Sequence, residues 1–150
     1  GGGAEAAAVR SVLVDEPMLD PVMDSDSYVE NADARTDPVP WLAWCWDGYL
    51  RGFPGGAQAA RGDARVCPHL HPPAAAGGNM PPQLVITASG DPLRDEGRQY
   101  ASAMRAAGAE VEHIEARGSH ALALTFDKVR REATFQAWVK LFSRAETRAP

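Results

Sequence analysis

Cysteine is scarce in this chain of 150 residues: only Cys45 and Cys67 occur, and neither belongs to a C-x-x-C pair. That argues against a disulfide framework and a cysteine-ligated zinc site, and two free thiols in a reducing compartment are expected. Long apolar runs are missing as well, since no stretch reaches the about 18 residues that a membrane span requires. The N-terminus, GGGAEAAAVR, has no basic segment leading into an apolar one, so it does not read as a signal peptide and a cytoplasmic location is expected. Basic charge is in short supply: 15 Lys and Arg stand against 20 Asp and Glu, for a net charge of −5, and the arginines are scattered. A nucleic-acid binder needs a basic face to neutralise phosphates, so no nucleic-acid partner is expected. No G-x-G-x-x-G or P-loop follows a strand-like run, which leaves a nucleotide-binding domain without support, and no cofactor is expected.

What is present suits one globular domain, with 45% hydrophobic and 23% charged residues. Residues 1–8 are a Gly/Ala-rich lead-in, 9–145 the domain, and 146–150 a tail. VRSVLV (9–14) is a β-branched run stopped by Asp15, Glu16 and Pro17, which predicts a strand. Residues 17–38 are rich in Pro, Asp and Ser and form a long excursion. WLAWCWDGYL (41–50) predicts a helix opened by Pro40, and 51–82, dense in Gly and Pro, is loop.

From Pro82 the pattern sharpens. QLVITAS (83–89) is a continuous apolar run of strand length, as a parallel strand buried on both faces requires. A helix is predicted from about Arg94, with Tyr100, Ala103, Met104 and Ala107 at i, i+3, i+4 and i+7, and Gly108 at its end. Asp95 and Glu96 read as acids favoured by the dipole in its first turn. AEVEHIEA (109–116) predicts a weaker strand anchored by Val111 and Ile114. A last helix is expected near 126–144, with Phe135, Trp138, Val139 and Phe142 as its apolar face. Strands separated by helical segments make the class α/β with a parallel sheet.

In such sheets ligands bind beyond the carboxyl ends of the strands. Asp91 follows one predicted strand and His120 the next, so their loops emerge side by side. An acid that orients an imidazole and stabilises its cation is what nucleophilic acyl transfer uses. Other roles are open to both: Asp91 before Pro92 could start a turn and cap the following helix, and His120 could be a solvated loop histidine. His69 and His71 sit in the Pro-rich loop at i, i+2 without further ligands, and His113 lies within a strand; no metal is expected.

The run PPQLVITASGDPLRDEGRQYASAMRAAGAEVE closely resembles the hormone-sensitive-lipase-like, fold-3 group of α/β-hydrolases. VRSVLVDEPMLDP, SYVENAD and WLAWCWDGYL extend the likeness upstream, from Val9 to about Ala145. The resemblance implies a carboxylic ester hydrolase acting on a small-molecule ester, with Asp91 as catalytic acid and His120 as catalytic histidine. It also places Trp41, Trp44, Trp46 and Phe53 near an acyl site, although as single aromatics each is assigned to the core.

The sequence departs from that family at several points. No serine among Ser11, Ser25, Ser27, Ser89, Ser102, Ser119 and Ser143 lies in G-x-S-x-G, and no HGGG-like oxyanion segment occurs. Ala121-Leu122 follows the histidine where the family has Gly-Phe, and Glu16-Pro17 stands for Tyr-Pro. The chain is therefore expected to be the C-terminal half of the fold, its nucleophile lying upstream. Its first strand would then present a free edge to the missing half or to a second copy. The competing expectation is a non-catalytic module of the same fold.

Overall fold

The computed structural model describes residues 9–73, 80–120 and 128–147. Three parallel strands, β1 (Val12–Asp15), β2 (Gln83–Ala88) and β3 (Val111–Ala116), form one sheet in the order β1-β2-β3. The helices are α1 (Asp26–Glu30), α2 (Val39–Tyr49), α3 (Gly56–Ala60), α4 (Arg94–Ala106) and α5 (Lys128–Thr147). Val12 pairs with Gln83 and Gln83 with Val111. β1 starts at Val12 rather than at Val9 because β2 offers its first partner at Gln83.

β2 is buried at every residue, as its unbroken apolar run requires. Its alternating side chains divide the molecule into two layers. Leu84 and Ile86 pack against Leu141 of α5, with Ile114, Ala137 and Trp138 beside them. Gln83 and Thr87 turn to α4: the Tyr100 hydroxyl donates to Gln83 Oε1 at 2.9 Å. On that side Thr87 Oγ1 also lies 2.9 Å from His113 Nε2, and Arg98 donates to both oxygens of Glu115. Helix α5 therefore covers an apolar face and α4 a polar one. The inward ridge of α5 runs through Thr134, Ala137, Trp138 and Leu141, whereas Phe135, Val139 and Phe142 are exposed. Of the four residues expected on its apolar face, only Trp138 turns inward. Phe135, Trp138 and Phe142 do stand ring beside ring on one face, but the ridge that packs on β2 is the adjoining one, and Trp138 sits where the two meet.

Helix α4 ends as expected. Gly108 has φ +95°, and the following Ala109 N–H donates to Met104 C=O at 3.0 Å, closing the last turn. Gly97 sets how closely α4 approaches the sheet, because a Cβ there would meet Thr87 Cγ2 at 2.6 Å. Thr87 is fully buried and its hydroxyl is engaged by His113, so it cannot swing away. Gly97→Ala is expected to destabilise the chain by about 1–3 kcal/mol. Thr87→Ser, which removes the clashing methyl and keeps the hydroxyl, should recover much of that loss in a denaturant titration of the double variant.

The excursion between β1 and β2 contains α1, α2 and α3, of which α1 and α3 are five-residue helices inside segments too rich in Pro, Asp and Gly to announce them. Two apolar clusters hold it: Tyr28, Leu42 and Leu93 in one, Trp46, Ala60, Val66 and Cys67 in the other. Met18 and Met23 pack against both. Glu96 ties the excursion to α4. It is buried, and its carboxyl accepts from the Leu19 N–H (3.0 Å), the Asp20 N–H and the Tyr28 hydroxyl (2.8 Å). Burial pushes Glu96 up to about 8 against the pull of those three donors. Asp95 accepts from the Ser27 N–H at 2.9 Å, and Ser27 Oγ donates to Pro92 C=O at 2.6 Å. Both acids stand in the first turn of α4 as expected, but Glu96 serves tertiary donors, and Asp95 adds the Ser27 N–H to its local partners Arg94 and Arg98.

Candidate active site

The loops after β2 and β3 are pinned together before either reaches its titratable residue. Ser89 N–H donates to Ala116 C=O and Gly90 N–H to Gly118 C=O, each at 2.8 Å. A Cβ on Gly90 would stand 3.2 Å from that Gly118 oxygen, so glycine permits the close approach. The next residue of one loop is Asp91, and two residues beyond Gly118 comes His120.

The two meet directly. His120 Nδ1 lies 2.9 Å from Asp91 Oδ2. Asp91 is fully buried; its other oxygen accepts the Leu93 N–H at 2.9 Å, and its carbonyl accepts from Asn31 Nδ2 at 3.2 Å. Asp91 thus makes the bond that starts the turn into α4 and faces His120 as well. Thr36 Oγ1 donates to the His120 carbonyl at 3.0 Å, which fixes the backbone of the second loop. A carboxylate can only accept, so Nδ1 carries a proton and Nε2 is the nitrogen left to exchange one.

Two further acids, neither given a site role by sequence, face the ring. Glu16 Oε2, just past β1, lies 3.7 Å from Nδ1, and Asp37 Oδ2, just before α2, lies 3.8 Å from Nε2. The hydrogen bond to Asp91 raises the His120 pKa to about 9, against the opposing effect of burial and with help from the Asp91, Glu16 and Asp37 charges. Asp15, beside this group, is raised by burial, while the His120 cation pulls it the other way. Glu16, Asp91 and His120 each offer a ligand atom within 4.8 Å of the others, but a cation accepted at Nδ1 would have to displace the 2.9 Å bond to Asp91.

The remaining histidines lie elsewhere in the fold. His69 is buried, with Nε2 3.9 Å from Asp20 Oδ2, and burial lowers its pKa. His71 is exposed, its Nε2 2.9 Å from the Arg61 carbonyl oxygen. His113 lies within β3 beside Thr87, and its pKa too is lowered by burial. Both cysteines are free; burial pushes the Cys67 thiol up to about 11. Of the aromatics assigned to the core, Trp46 is buried and lines a pocket of about 290 Å³ with Met18, Leu19, Tyr49 and Val66, and Phe53 packs beside it. Trp41 and Trp44 do not join them: they are 49% and 63% exposed and stack on each other at 4.8 Å. No helix among the described residues is long and apolar enough to cross a membrane. Ala121 and Leu122, which depart from the family pattern, lie outside the described residues.

A parallel sheet with helices on both faces and an acid and a histidine on successive β-strand exits is the arrangement of an α/β-hydrolase. Residues 3–123 match the family model described as alpha/beta hydrolase fold, and the chain belongs to that family. Solved structures that it resembles include esterases, in keeping with the fold-3 group that DPLRDEG suggests. A thermostable esterase from Pseudomonas putida ECU1011 is 28% identical with a TM-score of 0.74, over 92% of this chain and 43% of that one. An esterase from Pyrobaculum calidifontis is 26% identical with a TM-score of 0.71, over 91% and 44%. A bacterial heroin esterase is 25% identical with a TM-score of 0.74, over 91% and 43%. This chain therefore spans less than half the length of these structures. No curated protein matches it.

Proposed function

We propose that these 150 residues are the acid-and-base portion of a carboxylic ester hydrolase. The observation that carries the reading is the 2.9 Å contact between buried Asp91 and His120 Nδ1. In this mechanism Nε2 of His120, in the fraction of molecules whose ring has released its second proton, removes the proton from a serine hydroxyl as its oxygen attacks the ester carbonyl. The same nitrogen then returns that proton to the departing alkoxide, and it repeats the transfer when water attacks the acyl-serine, releasing the carboxylic acid and restoring the serine. Asp91 holds the ring and stabilises the imidazolium formed each time. The serine is supplied from outside these residues, since no G-x-S-x-G occurs within them. The esterase relatives support ester hydrolysis as the reaction class.

The test is to read the coding sequence ahead of Gly1, express the longer protein and assay a short-chain 4-nitrophenyl ester. An in-frame G-x-S-x-G upstream and hydrolysis that disappears in His120→Ala are expected. If the elbow and the hydrolysis are absent, a non-catalytic module of this fold replaces the reading; if hydrolysis survives the substitution, His120 is not its base and the reading is wrong.

The strand that carries this serine is assigned to the outer edge of β1, where Leu13 is 45% exposed. Produced by itself, the 150-residue chain is expected to pair through that edge, eluting from size exclusion as a dimer or larger species. A stable monomer without dye-binding apolar surface would count against this assignment.

A further inference from the structure

Glu16 stands directly after β1, and Asp91 three residues after the end of the neighbouring β2, so both lie beyond the carboxyl ends of their strands. Its N–H donates to Ile86 C=O at 2.9 Å, which extends the β1–β2 ladder by one residue. Its φ of +43° puts a non-glycine residue in the left-handed region, a conformation kept only where the surroundings enforce it. Pro17 follows and packs under α4, its Cδ 3.5 Å from where a Cβ on Gly97 would sit. The carboxylate so placed is 4% exposed, with Oε2 3.7 Å from the same His120 nitrogen that Asp91 holds at 2.9 Å. Two acids on neighbouring parallel strands thus converge on one N–H.

We propose that Glu16 is a second positioning acid for His120, adding its charge to the imidazolium and taking over the Nδ1 hydrogen bond when Asp91 cannot make it. This rests on the reading of Asp91 and His120 as an acid–base pair. One N–H satisfies one acceptor, so while Asp91 is bonded Glu16 acts through charge alone, within the range where an opposite charge favours the ionised ring. The two separations, 3.7 and 2.9 Å, differ by only 0.8 Å, a displacement on the scale of a side-chain rotation. The charged groups facing the ring come from several elements: Asp91 after β2, Glu16 after β1, Asp37 ahead of α2 and, at longer range, Asp15 at the end of β1. Asp37 approaches the opposite nitrogen and so cannot replace Asp91 at Nδ1.

The experiment is an NMR titration of the His120 ring in the 150-residue chain, as wild type, Asp91→Asn, Glu16→Gln and the double variant. Asp91→Asn is expected to lower the midpoint yet leave it about one pH unit above the double variant, the remainder being Glu16. Glu16→Gln alone should lower it by less, because the hydrogen bond to Asp91 persists. Coincident midpoints for Asp91→Asn and the double variant would overturn the proposal. If Asp91→Asn leaves the wild-type midpoint in place while Glu16→Gln lowers it, the pairing with Asp91 is what fails, and the role of Glu16 stands. The amide oxygen that Asp91→Asn retains can still accept the Leu93 N–H, which preserves the turn. Should that variant nonetheless unfold, an unchanged midpoint in Glu16→Gln is enough to reject the proposal.

Discussion

In an esterase assembled around this chain, His120→Ala is expected to lower kcat by roughly 10⁴- to 10⁶-fold while changing KM little. The magnitude follows from what the imidazole does in the proposed mechanism. Nε2 moves the proton at both stages, and no other described group is held against Asp91 to replace it. The loss should appear in kcat because the proton moves only as the transition state forms, not when the ester binds. Asp91→Asn should cost less than the roughly 10⁴-fold typical of an oriented imidazole that loses its acid, because Glu16 remains near Nδ1. Steady-state hydrolysis of a 4-nitrophenyl ester by the two variants checks both expectations. Equal losses would mean that Glu16 contributes nothing to turnover, and a His120→Ala enzyme of near-normal kcat would remove the histidine from the reaction altogether.

How much of this was legible from sequence depends on the residue. β2 announced itself because burial on both faces leaves an unbroken apolar run, and α4 because one face is apolar and the other charged. Topology then brought Asp91 and His120 together, since successive parallel strands place their exits side by side. Glu16 was harder to see. In sequence it is the acid that ends a strand before a proline, and its approach to His120 depends on a backbone conformation that nothing in the string DEP specifies. Asp37 was hidden for a similar reason: its segment joins the site through Thr36, across a long excursion.

Glu96 illustrates a different limit. An acid in the first turn of a helix looks the same in sequence whether it serves the helix dipole or accepts three tertiary hydrogen bonds. Only the fold of residues 19–28 over α4 separates the two. The aromatics of α2 are the converse case. Apolar residues surround that helix, so hydrophobicity alone could not tell that Leu42 and Trp46 turn inward while Trp41 and Trp44 face out.

Stability of the chain is expected to fall as pH rises from about 6.5 to 9, the reverse of the usual gain on leaving the acid range. Two groups set the sign. His120 has its pKa raised in the folded state to about 9, so it binds a proton that the unfolded chain has already released above its ordinary value near 6.5. Its contribution is complete below 6.5 and is lost as pH climbs through 9. Glu96, raised to about 8, acts the same way: the unfolded carboxyl ionises near its ordinary value while the buried one keeps its proton, so folding grows less favourable until pH passes 8. His69 and His113, both lowered by burial, oppose this trend, but only below 6.5, where their unfolded forms still bind protons. Above that pH nothing from these two histidines offsets the decline. It should amount to a few kcal/mol, since each pH unit separating a group's folded and unfolded titrations is worth about 1.4 kcal/mol. Thermal melts across this range check it. Glu96→Gln should flatten the curve up to pH 8 and His120→Asn the part approaching pH 9, whereas a wild-type melting temperature that rises over the interval would contradict both assignments.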